Sequence, residues 1–283
     1  MYKLPKGQLE TLMPRSHEHS MLNERGMSLI EALIGVTIAS LVLAACYGSY
    51  IVVTGYYRTQ NDISNVRQTI RQTLEILGRD IQLAGFTYLE TAGTPITEPL
   101  RTTNGGSQVG TADTLNLVFD KCTQAVSGMA AICNDPSQFT RMLVLYEVKR
   151  CPTGQHPIHR MTRLCRTTYT CPTGNCGAAD VSTGGWVRTG DGSPIADHVE
   201  DLQFALKTAE STPLPAGNGA SAQNIDIGLI LATKREHGSP RQLTLPGNWK
   251  TNFQSSYQPP TDQYIRDWGI TSVLLRNNAY SQN

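Results

Sequence analysis

Signatures of catalysis are missing from this chain. It contains no Walker loop, no Gly-x-Ser-x-Gly elbow and no His-Glu-x-x-His pair, so phosphate-loop, nucleophile-elbow and zinc-protease chemistry have no local support. Charge is scarce, at 17% of residues, and it balances to +1, which removes bulk electrostatics as a route to nucleic acid or to an acidic partner. Asp191-Gly192-Ser193 reads as a turn, because a calcium loop needs more oxygen ligands at regular spacing. His156 and His159 flank a proline-containing loop and are explained by surface placement better than by general-base work. Trp186, Trp249, Trp268 and the tyrosines of 257–264 could line a binding face, but partly buried packing accounts for them more simply. No cofactor and no resident metal are implied, and the chain reads as a non-enzyme.

What is present is organised around residues 26–57. Between Arg25 and Arg58 the only acid or base of ordinary strength is Glu31. About 20 apolar residues suffice to cross a bilayer's hydrocarbon core, so this run is long enough. Glu31 stands five residues past Gly26, near one end of the run. A carboxylate at bilayer depth costs roughly 2.5–3.5 kcal/mol on insertion scales, which makes it a functional-site candidate with a positive partner to be found. Snorkelling of Glu31 to the headgroups is the alternative.

The order Arg25-Gly26-Met27-Ser28-Leu29-Ile30-Glu31 resembles the processing site of type IV pilins and their secretion-system relatives. That resemblance implies cleavage after Gly26, N-methylation of the new terminus at Met27, and a charge-pairing role for Glu31 in assembly. The family more often has phenylalanine at the position of Met27 and threonine at that of Ser28. Cleavage would create an ammonium in apolar surroundings, and Glu31 of a neighbouring subunit could neutralise it; a paired buried charge is tolerable where an unpaired one is not. Residues 1–26 are then a leader removed by a prepilin peptidase. They have no apolar core of the secretory kind, and Met21 offers an alternative start that leaves a compact leader.

At 283 residues the chain is long enough for one medium domain plus an anchor. Cys46 lies in the apolar run and reads as a small apolar residue; the other cysteines are Cys122, Cys133, Cys151, Cys165, Cys171 and Cys176. An even number outside the span suggests disulfides in an oxidising compartment. Six cysteines allow 15 connectivities, and proximity favours 122–133, 151–165 and 171–176. A zinc site using these thiols with His156 and His159 is the competing reading, weakened by the lack of any Cys-x-x-Cys pair. Arg15 and Arg25 before the span nearly match Arg58, Arg67 and Arg71 after it, so charge does not orient it. A periplasmic C-terminus rests on the cysteines and the resemblance.

Beyond the span, Ile63, Val66, Ile70, Leu74, Leu77 and Ile81 recur at helical steps and form one apolar stripe, and Gly85 marks its end. Residues 27–57 therefore read as a transmembrane or filament-core helix and 58–85 as its amphipathic continuation. Gly35, Gly48 and Gly55 weaken the anchor half by roughly 1 kcal/mol each relative to alanine. Residues 86–283 read as a β-rich domain, with loops at 86–113, 170–196, 208–223 and 236–262. Strands are expected at 114–120, 141–149, 159–167, 198–207, 224–233 and 269–276. The second and third of these form a plausible hairpin around Cys151-Pro152-Thr153-Gly154. A helix followed by strands argues an α+β class with a mostly antiparallel sheet, and the resemblance implies a pilin-like fold, a long N-terminal helix packed on that sheet.

Leu77-Gly78-Arg79-Asp80-Ile81-Gln82-Leu83-Ala84-Gly85-Phe86 at the helix exit, His198 to Phe204, Ile225 to Leu231 and Thr271 to Asn277 resemble the corresponding segments of PilW-type minor pilins. That likeness implies a minor subunit of a type IV pilus, priming or capping the filament tip in twitching, adhesion or DNA-uptake machinery. Its partners would be other minor pilins, the major pilin, the prepilin peptidase and the inner-membrane assembly platform. It would start as a single-pass inner-membrane protein and end in the filament. The alternatives are a type II secretion pseudopilin, which shares the anchor, and a membrane-anchored periplasmic enzyme or ligand-binding domain, for which substrate turnover or tight small-molecule binding would speak. An adhesin role for the disulfide-bearing loops could coexist with the pilin role.

Overall fold

The computed structural model describes residues 27–87, 95–104, 112–122, 138–150, 162–172, 176–183, 185–190, 192–208, 212–217, 219–253, 255 and 257–276. The chain divides into two compact units, Met1–Gly55 and Tyr56–Asn283. One helix, α1 (Leu29–Leu83), belongs to both. The leader expected at 1–26, together with Cys133, Cys151, His156 and His159, lies outside the described residues.

In the first unit α1 carries apolar side chains on every face, and none of it is buried. It is long and apolar enough to cross a membrane. Its hydroxyls are turned back on the helix: Thr37 donates to the Leu33 carbonyl at 2.8 Å, Ser49 to Ala45 at 3.0 Å and Thr54 to Tyr50 at 2.8 Å. Polar groups satisfied within their own helix are what a segment without water around it requires.

In the second unit the stripe expected from sequence is the buried face. Val66, Ile70, Leu77 and Ile81 are covered, and so is Ala84. The helix stops where expected: Gly85 adopts φ 75°, a left-handed cap that glycine takes without steric cost, and its N–H donates to the Val118 carbonyl at 2.8 Å.

The strands form two sheets, and every strand pairing is antiparallel. The first sheet contains β1 (Leu100–Thr103), β2 (Thr114–Cys122), β3 (Phe139–Arg150), β4 (Thr162–Thr170) and β5 (Val187–Arg188) in that order, with β6 (Ser193–Asp197) also paired to β4. The second has the order β7 (Val199–Lys207), β8 (Asn224–Arg241), β9 (Asp262–Leu274). Along the edge of β7 the first sheet is stitched to the second. Asp113 N–H donates to the Leu202 carbonyl at 2.9 Å, Asp113 Oδ2 accepts from Phe204 N–H at 3.0 Å, and the Thr162 hydroxyl donates to the Val199 carbonyl. β7 is consequently buried along nearly its whole length, and its two faces do not alternate.

Helix and both sheets share one core, built from Leu77 and Ile81, from Leu115, Leu117 and Tyr146, and from Leu202, Ile227 and Leu229. The opposite face of the second sheet is covered by a short helix, α2 (Trp249–Phe253), whose Trp249 and Phe253 rings lie 5.0 Å apart. Trp249 and Tyr257 are buried packing residues, and Trp268 is half-buried beside them.

Two glycines allow these close approaches. At Gly228 a Cβ would stand 2.8 Å from the rings of Trp249 and Phe253. At Gly269 it would stand 2.4 Å from Ile70 Cγ2 and 2.9 Å from Leu74 Cδ1. Overpacking of this kind costs about 1–3 kcal/mol. Gly269→Ala is therefore expected to lower the domain's unfolding free energy by that amount, read as a lower urea midpoint at unchanged m, and a midpoint matching the wild type would show that α1 yields at this contact.

Several expectations need correction. The domain has two sheets rather than one. The stretches taken as loops hold β1, β5, β6 and α2. β4 continues to Thr170, β8 continues to Arg241, and β9 begins at Asp262. The extra length of β8 is polar and lacks alternation, so it carries no pattern of its own; it is held to the start of β9 by cross-strand pairs such as Glu236↔Tyr264 and Arg241↔Asp262.

Candidate functional site

The N-terminal segment places its one carboxylate where the helix begins. The Ser28 carbonyl accepts from the Glu31 N–H at 2.9 Å and from Ala32 at 3.1 Å, so Glu31 stands in the first turn. Negative charge is favoured there by the helix dipole. Met27 is 75% exposed, and Leu29, Ile30, Leu33 and Ile34 around Glu31 are exposed as well. The result is an acid set into an apolar, uncovered helix surface. Such a surface can bind other apolar helices, and such an acid can receive one cation from outside.

The comparisons bear on this same segment. The prokaryotic N-terminal methylation motif family matches residues 21–47. Among solved structures, the chain is similar to the type IV-like pilin TTHA1219 from Thermus thermophilus, with 14% identity and a TM-score of 0.45 over 78% of this chain and 98% of that one. No curated protein matches. The chain thus carries the N-terminal methylation motif at the head of an apolar helix that runs into an antiparallel β domain, a pilin-like α+β arrangement.

The expected disulfides divide. Cys171 and Cys176 are bridged, with a Cα–Cα distance of 6.1 Å, inside the usual disulfide range. The bridged loop is anchored from below: Arg141, buried and paired with Asp120 at 2.9 Å, also donates to the Cys176 carbonyl at 3.3 Å. Cys122 is disulfide-bonded as well. Cys165 corrects the sequence expectation. It is a buried thiol whose Sγ–H donates to the Arg163 carbonyl at 3.9 Å, so the bridge to Cys151 is not formed. On the β3–β4 ladder Cys165 faces Glu147, and Cys151 lies outside the described residues. Cys46 is an exposed thiol on the apolar helix. Among the described residues no group of three or more His, Cys, Asp or Glu side chains could hold a metal ion.

Sequence reading missed three buried polar networks, because their members lie far apart along the chain. Asp80 on α1 accepts from the Tyr146 hydroxyl at 2.6 Å and from Arg166 at 2.8 Å, pinning helix to first sheet. Burial, together with the Asp80 charge, pushes the Tyr146 phenol up, so it stays a donor. Glu200 accepts from Tyr257 at 2.6 Å and from Arg266 at 2.5 Å, and Arg266 grips Asp262 with two nitrogens at 2.6 and 2.7 Å. Burial alone would lower Arg266, but Asp262 and Glu200 hold it above its ordinary value. Gly269, Asp80 and Arg266 could each be read in the sequence, but their contacts could not.

Asp201 is the third case. It is buried beside Glu200 and accepts from Gln203 at 2.7 Å, while its Oδ2 has no hydrogen-bond partner. Burial pushes its carboxyl up to about 7, with Asp113 and Glu200 adding to the shift. The folded state then holds a proton that the unfolded chain, titrating near 4, has already lost. Stability should fall as pH rises through the window from about 4 to 7, by up to about 1.4 kcal/mol per unit. Asp201→Asn is expected to flatten that slope in urea titrations run at several pH values. An unchanged slope would assign it to other groups.

Proposed function

We propose that the chain is a minor pilin of a type IV pilus. In this reading residues 1–26 are a leader, the cut falls between Gly26 and Met27, and Met27 becomes the methylated terminus. Residues 27–57 hold the subunit in the inner membrane and later in the filament core. The domain waits in the periplasm before the subunit joins other minor pilins and the major pilin near the filament tip. The prepilin peptidase performs the chemistry, and this chain is its substrate, a structural subunit rather than an enzyme. The observation that carries the reading is the glycine–methionine pair followed, five residues past the glycine, by the one acid of the apolar run 26–57. The likeness of the later strands to PilW-type subunits supports the minor role.

A type II secretion pseudopilin shares this anchor, and deletion separates the two: loss of twitching points to a pilus, and loss of protein secretion to the rival. The direct test is the mass of the N-terminal peptide isolated from membranes. A peptide beginning at Met27 with one added methyl group is expected. Gly26→Ser should leave only the unshifted precursor band, because the peptidase must close on a residue without a side chain. A processed Gly26→Ser subunit would sink the assigned junction.

A further inference from the structure

The β8–β9 hairpin carries an arm of unusual charge balance. Past Ala232 the ladder is interrupted twice, between Ala232 and Glu236 and between Glu236 and Arg241, so this stretch is loosely held. The arm reaches the first residues of α1 in the domain unit: His237 Nδ1 is 3.3 Å from the Thr59 hydroxyl, and His237 Nε2 is 3.4 Å from Asp62. Immediately before Thr59 stand Tyr56 and Tyr57, 65% and 70% exposed, and then Arg58. Outward tyrosines beside a cation at the end of an apolar run are the usual mark of a membrane–water boundary.

Three acids of this neighbourhood are ion-paired with arginines, Asp262 with Arg266, Asp267 with Arg67 and Asp197 with Arg163. Asp62 stands opposite His237, and Glu236 accepts from the Tyr264 hydroxyl. The nearby cations outnumber these last two carboxylates. Arg58, Lys234, Arg235 and Arg241 are exposed and form no ion pair among the described residues. Lys234 and Arg235 also border a cavity of about 510 Å³ between the arm and α1, where Asn61 and Asn65 add amide donors and Asp62 and Asp197 add carboxylates.

We propose that this arm, with Arg58, is a docking site for the phosphate-bearing headgroups of anionic phospholipids. The proposal rests on the reading that the apolar half of α1 lies in a bilayer. That reading ends the bilayer-embedded run just before Tyr56 and Tyr57, which adjoin the residues that the arm touches, and the excess positive charge selects anionic lipid as the occupant. Each cation near an anionic surface strengthens attachment roughly fivefold, and salt weakens the effect.

The test uses the full-length chain in nanodiscs of phosphatidylcholine alone or mixed with phosphatidylglycerol, followed by hydrogen–deuterium exchange. Amides of residues 233–241 are expected to exchange about tenfold more slowly in the anionic bilayer, a difference that high salt should erase. The combined variant Lys234→Gln, Arg235→Gln, Arg241→Gln should lose the difference while the core strands keep their protection. Equal exchange of the wild-type arm in the two bilayers, with residues 29–53 protected in both, would overturn this proposal alone and leave an acidic protein surface as the cations' partner. Failure of residues 29–53 to gain protection in either bilayer would overturn the membrane reading, and this site with it.

Discussion

Glu31→Ala is expected to leave leader removal intact while reducing incorporation into a filament about a hundredfold or more. The alanine keeps the helix, since Glu31 makes its backbone bonds through its own N–H and the Ser28 carbonyl, and alanine is the best helix former. What disappears is the carboxylate that, in the proposed assembly, meets the new ammonium at Met27 of a neighbour. Around that position the helix offers only Leu29, Ile30, Leu33 and Ile34, none of which can solvate a charge. Removing one partner of a buried ion pair costs about 3–5 kcal/mol, which corresponds to roughly a hundred- to several-thousandfold in an association constant. Glu31→Gln, which keeps an acceptor without the charge, should fall between the two. Quantitative blotting of sheared filaments against the membrane pool measures the ratio. Wild-type incorporation of Glu31→Ala would remove the charge-pairing role.

The second large effect belongs to the domain. Arg266→Ala should lower its melting temperature by roughly 6–20 °C, at about 2–4 °C per kcal/mol for a domain of this size. Arg266 and Glu200 side chains are both fully buried, and the guanidinium also closes on Asp262 from the start of β9. Truncation leaves the Glu200 carboxylate enclosed with only the Tyr257 hydroxyl as donor, a loss of about 3–5 kcal/mol. The joint replacement Glu200→Gln, Arg266→Met should recover most of it, because removing both charges also removes their desolvation cost. Thermal melts of the two variants, followed by circular dichroism in detergent, would show the difference. A single variant as stable as wild type would mean that water reaches Glu200 once the arginine is gone.

The anchor and the fold class were legible because their signals are local. A helix repeats every few residues, so Ile63 to Ile81 predicted the buried face of α1, and glycine at position 85 predicted its end. Strands with a covered face also showed themselves. β7 was legible by its apolar content, although burial on both faces hides its alternation. The bridge between Cys171 and Cys176 was within reach for the same reason, since five residues separate its ends. The pairing of Cys165 was not, because proximity along the chain ignores register, and one strand row moves a side chain by more than three ångströms.

Position in the chain alone determined where this protein has its apolar run, its single acid within that run and the glycine that precedes Met27. These properties depend on covalent order and on the 3.6-residue period, which need no partner. Only the tertiary structure decided that two sheets share one core with α1, that Gly269 sits under Ile70, and that Arg266 reaches Glu200 across 66 residues. It also decided that the polar end of β8 turns back to Thr59 and Asp62. Contacts of that kind arise from cross-strand register and packing between distant segments, and no short window of residues encodes them.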